Sequence, residues 1–347
     1  MRPPDFWSSR RVLSTLLVPA GCVYTLATRR RLRRAGWKAP VPVICVGNIG
    51  VGGAGKTPVA LELGHLLAAA GKAPHFLTRG YRGRERGPLR VDPARHDVRA
   101  VGDEPLLLAR VAPTWVARDR AAGARAAVAA GAGCIVMDDG FQNPSLVKDL
   151  ALVVVDGGYG FGNERVIPAG PLREPIADGV ARADAIVLVG DDATGAARHF
   201  AAKPVLGARI VPDPLSQHFA GKTVVAFCGI GRPEKFFATV KALGAIVAEE
   251  IPYPDHHVFT DEQVMLMLEI AARHGAVAVT TEKDHARLSP EAKLMVETVP
   301  IRIEFETPAK LEAMLSRLFA SSPAIESGRA PQDSPRRHGD TEKKGSR

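Results

Sequence analysis

Four cysteines in 347 residues, none in a C-x-x-C pair, give no basis for a disulfide framework or a thiolate metal site. Cys22, Cys45, Cys134 and Cys228 are scattered in apolar surroundings and read as reduced core thiols of a cytosolic protein. Long apolar runs are also missing. The uncharged stretch from Val12 to Thr28 is 17 residues, at the short limit for a span, and Ser14, Thr15, Pro19 and Gly21 weaken it further. A cleaved leader is not the expected reading, because the arginines at 29–34 are the wrong flank for cleavage. Acid is scarce at one end: residues 1–40 hold nine Lys and Arg against Asp5 alone, eight of the nine net positive charges. The rest is nearly neutral and carries no basic, aromatic stripe, so nucleic acid is not an expected partner. No repeat of solenoid period occurs.

What is present begins with Val43–Thr57, VICVGNIGVGGAGKT. Val43 to Val46 read as a buried strand, and Gly50, Gly55, Lys56 and Thr57 stand at the spacing G-x-x-x-x-G-K-[ST]. Gly50, Gly52, Gly53, Ala54 and Gly55 form the loop whose backbone N–H groups wrap phosphate oxygens. Lys56 reaches the β- and γ-phosphates of ATP, and the Thr57 hydroxyl suits Mg²⁺. A helix starting near Lys56 adds its positive end.

Apolar runs at Val41–Val46, His75–Thr78, Trp115–Ala117, Gly133–Met137, Ala151–Val155 and Ala185–Val189 alternate with helical patterns. That alternation predicts an α/β fold: a P-loop NTPase-like parallel sheet with helices on both faces. A second, smaller α/β domain is expected from Thr223–Cys228, Ala276–Thr280 and Ile301–Phe305, giving a core domain at 39–215 and a C-terminal domain at 216–320. Residues 321–347 turn to Ser, Pro, Gly and charge and read as a disordered tail. At the other end, residues 1–38 form an amphipathic helical unit with Leu13, Leu16, Leu17, Ala20, Tyr24 and Ala27 in one stripe. Either that stripe docks on the protein's own core, or it lies in an anionic membrane surface with the arginines on head groups. The second reading is adopted.

Several loops carry candidate chemistry. Arg79 and Arg82, between glycines after a strand, suit phosphate capture, although a solvated basic turn has the same composition. Asp103 and Glu104 open a helix and can act there as caps alone. Asp138 and Asp139, at the end of a buried strand downstream of a P-loop, make the Walker B arrangement for Mg²⁺. Arg173, in the rigid loop Pro168–Pro175, is a candidate phosphate clamp. In Asp255-His256-His257, a metal site lacks a third ligand, and a His beside Asp as proton acceptor is the better reading.

Five ordered motifs then converge: Gly47-Asn48 through Gly53-Ala54-Gly55-Lys56-Thr57-Pro58; Thr78-Arg79-Gly80-Tyr81-Arg82-Gly83; Gly102-Asp103-Glu104-Pro105; Asp138-Asp139-Gly140-Phe141-Gln142; and Thr280-Thr281-Glu282-Lys283-Asp284. Together they resemble the tetraacyldisaccharide 4′-kinase family of lipid A biosynthesis, from about Pro4 to Leu318. The resemblance implies transfer of the ATP γ-phosphate to the 4′-hydroxyl of a tetraacyldisaccharide 1-phosphate, giving lipid IVA at the cytoplasmic face of the bacterial inner membrane. It implies a smaller domain joined by a strand linker. It also implies that Asp103 with His256 deprotonates the sugar hydroxyl, that Asp138 and Asp139 serve Mg²⁺, and that Arg120 and Arg173 steady phosphates. Arg79, Arg82, Arg120 and Gln142 are the candidate substrate-binding side chains, and Lys56 and Arg173 join the catalytic set. No protein partner is expected. The rival reading is a P-loop GTPase switch or metallochaperone, which needs a guanine-reading Asn-Lys-x-Asp and a Cys/His cluster. The chain has only Thr281-Glu282-Lys283-Asp284, out of register, and no such cluster.

Overall fold

The computed structural model describes residues 4–7, 9–200 and 203–320. The tail expected at 321–347 lies outside the described residues. Thirteen strands are described: β1 Val43–Gly47, β2 Pro74–Thr78, β3 Leu89–Arg90, β4 Thr114–Val116, β5 Cys134–Asp138, β6 Leu150–Asp156, β7 Ala185–Val189, β8 Val205–Pro212, β9 Thr223–Cys228, β10 Ile246–Pro252, β11 Val277–Thr280, β12 Glu297–Thr298 and β13 Ile301–Phe305. Nine of them form one sheet in the order β13-β8-β7-β6-β1-β5-β2-β4-β3. It is parallel throughout its centre and antiparallel only at its edges, β13 on β8 and β3 on β4.

Because both faces of β1 are covered, all five of its residues are buried. The period of two then divides them. Val43 and Cys45 join one core with Leu77, Ile135 and Met137, while Ile44 and Val46 join the other with Phe76, Val136 and Leu152. The helices, in chain order, are α1 Val12–Leu16, α2 Val18–Leu32, α3 Lys56–Ala69, α4 Val98–Val101, α5 Asp103–Leu108, α6 Arg120–Ala129, α7 Ile176–Arg182, α8 Pro233–Ala242, α9 Asp261–Arg273, α10 Glu282–His285, α11 Pro290–Met295 and α12 Pro308–Ala320. Helix α3 packs by Val59, Leu63 and Leu67 on one face of the sheet, and α6 by Ala124 and Ala127 on the other.

The smaller sheet is parallel, in the order β10-β9-β11-β12. Its hydrophobic clusters are separate from those of the larger sheet. The expected boundary of 216–320 is corrected at its C-terminal end. Strand β13 returns to the larger sheet, with Ile303 against Ile210 and Phe305 against Ala208. Ile303 and Phe305, together with Leu311 and Leu315 of α12, complete the same core that Leu63 and Leu67 occupy. The smaller unit is therefore an insertion between β8 and β13. Strand β10 was not anticipated, because its Glu249 and Glu250 sit on an exposed edge where alternation fails.

The N-terminal unit is two helices whose small residues, not their apolar ones, face the protein. Ser14, Gly21 and Thr28, seven residues apart, face the protein and are buried. Ser14 Oγ donates to the Ala169 carbonyl at 2.7 Å, and a Cβ on Gly21 would stand 3.1 Å from the Val166 carbonyl oxygen. The apolar side faces outward: Val12, Leu16, Val23 and Leu26 are each more than 70% exposed. Most of the predicted stripe is thus not docked on the core. Of the arginines, Arg29 is held by Asp178 at 2.6 Å, while Arg30, Arg31, Arg33 and Arg34 are exposed. No helix among the described residues is long and apolar enough to cross a membrane. Cys45, Cys134 and Cys228 are buried free thiols as expected, but Cys22, on the outward side of α2, is exposed.

Candidate active site

The C-terminal ends of both parallel sheets carry the predicted groups, as open α/β sheets require. From the larger sheet, β1 leads to the P-loop, β2 to Arg79, β5 to Asp138 and Asp139, and β6 to Asp156. From the smaller sheet, β9 leads to Gly229, β10 to His256, and β11 to Thr281–Asp284. Several ion pairs and hydrogen bonds join the two edges.

In the P-loop, Gly52 and Gly55 take φ of 123° and 89°, where a side chain is strained. Gly55 is the residue before α3, and a Cβ added at Gly52 or Gly53 would meet nothing within 4 Å. Space is thus open around these two glycines, close to a helix N-terminus. The loop is strapped from outside. Val51 N donates to the Pro171 carbonyl at 2.8 Å, and Arg173 N to the Ile49 carbonyl at 2.8 Å. The Pro168–Pro175 loop thereby sets Arg173 beside the P-loop. The Asp138–Gln142 turn lies close for a different reason: a Cβ on Gly47, at the end of β1, would stand 2.4 Å from Phe141 Cβ.

The two carboxylates of that turn are not equivalent. Asp138 is buried, and its Oδ2 accepts from Thr57 Oγ1 at 3.1 Å, whereas its Oδ1 is buried without a hydrogen-bond partner. Burial, then the charge of Asp139, pushes the Asp138 carboxyl up to about 6. Asp139 has a left-handed φ of 52° and is exposed. Its crowded surroundings raise its pKa, but Lys56 at 3.7 Å and Arg173 at 3.0 Å outweigh them and hold it at about 2. A buried oxygen with no donor, beside a P-loop threonine, fits a divalent cation.

Arg120 is the first residue of α6, whose N-cap Asp119 accepts from Ala121 N and Ala122 N. Its guanidinium is buried, donates to the Ala117 carbonyl, and keeps an unpartnered Nε. Burial lowers its pKa to about 10, against the pull of Asp139. Arg79 is exposed and near enough for its charge to act on Arg120. Gln142 differs from its expected role as a substrate ligand. Its Nε2 donates to the Asn48 carbonyl at 2.7 Å and to Glu174 Oε1 at 2.9 Å, and its Oε1 accepts from Arg173 at 3.3 Å. Both amide hydrogens are therefore committed inside the protein, and Gln142 orients Arg173 instead.

Across the cleft, Asp103 and His256 do meet: His256 Nδ1 is 3.3 Å from Asp103 Oδ2. The Tyr81 ring packs edge-on to His256 with centroids 5.5 Å apart, and Arg82 donates to the His256 carbonyl at 3.1 Å. Thus the Arg82 loop holds the partner domain's histidine loop. Arg287, which the motifs did not indicate, completes the cluster. Its Nε donates to Asp103 Oδ2 at 2.9 Å, and its Nη2 reaches the same oxygen. Lys283 bridges Glu104 at 2.6 Å and Asp103 at 3.8 Å. Burial raises the Asp103 carboxyl, but hydrogen bonds from Glu104 and His256 and the charges of Lys283 and Arg287 hold it well below the ordinary range. Burial pushes neighbouring Glu104 the other way, to about 7. Asp103, Glu104 and His256 stand close enough to share an ion. Two cations already supply the positive charge there, so the cluster does not call for a metal. The only sequence trace of Arg287 is its place one helical turn after Asp284.

The chain matches the family model "LpxK: Tetraacyldisaccharide-1-P 4'-kinase" over residues 13–320. It is 55% identical over 328 residues to a tetraacyldisaccharide 4'-kinase of Rhodospirillum centenum, covering 92% of this chain and 97% of that one. A protein of the same name from Gluconacetobacter diazotrophicus is 54% identical over 318 residues, covering 91% and 97%. The crystal structure of "apo" form LpxK from Aquifex aeolicus in complex with ATP superposes with a TM-score of 0.72 at 29% identity, over 89% of this chain and 100% of that one.

Proposed function

The chain belongs to the tetraacyldisaccharide-1-P 4'-kinase family, and from that premise we propose that it transfers the γ-phosphate of ATP to the 4′-hydroxyl of a tetraacyldisaccharide 1-phosphate, yielding lipid IVA. The observation that carries the reading is the pairing of two half-sites. Thr57, Asp138, Asp139 and Arg173 surround the P-loop, and Asp103 with His256 closes the cleft from the far side.

The P-loop amides and Lys56 bind the triphosphate, and Arg120 and Arg173 supply positive charge where it accumulates on the transferring group. Thr57 and Asp138 are the residues that would hold Mg²⁺, with Asp139 beside them; the ion would neutralise phosphate charge. The unpartnered Asp138 Oδ1 supports that assignment. The sugar O4′–H bond breaks as oxygen bonds to phosphorus, and the proton passes to the Asp103–His256 pair. Asp103 on its own is a weak acceptor, since its donors hold it ionised. His256, less buried than Asp103 and 3.3 Å from it, shares the proton. Two domains meeting over the phosphate exclude water, which limits hydrolysis.

The outward apolar side of α1 and α2, followed by four exposed arginines, supports residence on an anionic membrane surface at the cytoplasmic face of the inner membrane. The test of the activity is transfer of labelled γ-phosphate to the disaccharide lipid. Lipid-dependent label in the product is expected; ATP hydrolysis with no label in lipid would overturn the reading.

A further inference from the structure

Asn163, in the loop after β6, is buried and joins the N-terminal helices to the loop that carries Arg173. Its backbone N donates to the Trp7 carbonyl at 2.9 Å, and the Trp7 indole donates to the Pro168 carbonyl at 3.1 Å. Its amide Nδ2 shares two hydrogens among four oxygens. Three belong to the N-terminal unit: the Phe6 carbonyl at 3.0 Å, the Ser9 carbonyl at 3.3 Å and Ser14 Oγ at 2.9 Å. The fourth is the Ala169 carbonyl at 3.0 Å. Ser14, in α1, spends its whole hydroxyl here. Its Oγ donates to the Ala169 carbonyl and accepts from Asn163 and from Arg165 Nη1 at 2.9 Å. Both side chains are buried, so a lost partner leaves a polar group unpaired.

The same stretch is held at its other end by the phosphate site. Leu172 N donates to the Arg165 carbonyl at 3.0 Å and Ile167 N to the Leu172 carbonyl at 2.9 Å, so residues 165–172 close on themselves. A Cβ on Gly170 would stand 2.1 Å from Asn163 Oδ1, so this backbone packs directly on the asparagine. Pro171 and Arg173 then bond the P-loop backbone at Val51 and Ile49, and Arg173 Nη1 reaches Asp139 at 3.0 Å. One short, self-bonded stretch therefore links the inward side of α1 to the P-loop strap.

We propose that Asn163 is a positioning residue of the phosphoryl transfer, an inference that rests on the kinase reading above. By tying the N-terminal helices to the Arg173 loop, it makes their docked side part of the phosphate-binding scaffold. The two sides of those helices then have separate tasks. The outward side meets a membrane surface, and the inward side keeps Arg173 where charge accumulates. Loosening the inward side therefore slows transfer even when the lipid is supplied in detergent micelles and no membrane is present. A shift of about 1 Å in a group that stabilises the transition state is enough to cost about 10²-fold.

The experiment uses the full chain and variants Asn163→Leu and Ser14→Ala, each checked for its unfolding midpoint, with the lipid in mixed micelles. In steady-state transfer, kcat should fall about 10-fold in Asn163→Leu and about fivefold in Ser14→Ala, with KM for the lipid within twofold of wild type. The double variant Asn163→Leu, Arg173→Ala should be no slower than Arg173→Ala alone. Hydrogen exchange read by mass spectrometry should speed up in peptides holding Val51 and Arg173 and stay unchanged in β9 of the smaller domain. If Asn163→Leu does not fold, Ser14→Ala decides. A raised KM for the lipid with kcat within twofold of wild type would mean that the docking serves lipid binding alone, and would overturn the proposal. Multiplying losses, unaltered exchange at Val51 and Arg173, or faster exchange throughout the chain would do the same. A wild-type protein that labels no lipid would overturn the kinase reading instead, while the exchange measurement would still test Asn163 without turnover.

Discussion

Thr57 Oγ1 donates a 3.1 Å hydrogen bond to Asp138 Oδ2, joining the first turn of α3 to the last residue of β5. Among the described residues the other oxygen of that carboxylate is buried without a hydrogen-bond partner. Thr57→Val keeps the shape and removes the donor. Turnover should fall by 10²-fold or more, and the Mg²⁺ concentration for half-maximal rate should rise. Lys56→Ala should lose turnover by a similar factor with an unchanged unfolding midpoint. A Mg²⁺ titration of each variant's transfer rate decides; an unshifted midpoint in Thr57→Val would separate Thr57 from the metal.

Gln142 is tied to Asn48 and Glu174 by its amide hydrogens and meets the site's cations through Arg173. Gln142→Ala should therefore lose part of what Arg173→Ala loses, about 10-fold against about 10²-fold in kcat. The double variant should match Arg173→Ala. If the losses multiply, Gln142 contacts substrate after all.

Glu104 gives the site a pH signature. Burial pushes its carboxyl from an ordinary 4.5 to about 7; Lys283 opposes the rise and Asp103 adds to it. The folded chain then keeps a proton that the unfolded chain releases near 4.5. Stability from this group is complete below that value and is lost as pH rises toward 7. Glu104→Gln removes the dependence, so the variant should gain in melting temperature over wild type between pH 5 and 8. Parallel melting curves across that range would show that Glu104 titrates normally.

The N-terminal helices predict a split among arginines. Near an anionic surface, each of Arg30, Arg31, Arg33 and Arg34 contributes about 1 kcal/mol, so changing all four to Gln should release protein from vesicles containing anionic lipid. High salt should do the same. Arg29→Gln should have a different effect, because Arg29 is tied to Asp178: it should loosen the docking of α2. Sedimentation with vesicles measures the first effect and protease sensitivity of residues 12–32 the second. Binding unaltered by both salt and the four substitutions would argue against an electrostatic surface contact.

What was legible in the sequence was whatever rests on local spacing. The P-loop, the Asp138–Asp139 turn and the buried strands follow from periodicity and from glycines whose φ no other residue adopts easily. The meeting of Asp103 and His256 came only from resemblance, since nothing local links residues 153 positions apart. What stayed hidden depends on three-dimensional contact. Arg287 looks like any surface arginine until Asp103 is placed against it. The inward side of α2 has no sequence signature, because close packing there selects small residues, Gly21 and Thr28, which a hydrophobic stripe does not reveal. Strand β13 looks local to the smaller domain, but its partner β8 lies nearly a hundred residues earlier.

That return of β13 bears on how the chain is made. Ile301 pairs with Pro212, so the larger sheet leaves the ribosome lacking its last strand while everything between those two residues is still being synthesised. The smaller domain, with its own four-stranded sheet and its own cores, can fold in that interval as an independent unit. Until β13 and α12 arrive, β8 is an open edge and the core around Leu63 and Leu67 lacks Leu311 and Leu315. A chain truncated near residue 300 is therefore expected to hold a folded insert within an unfinished, aggregation-prone host.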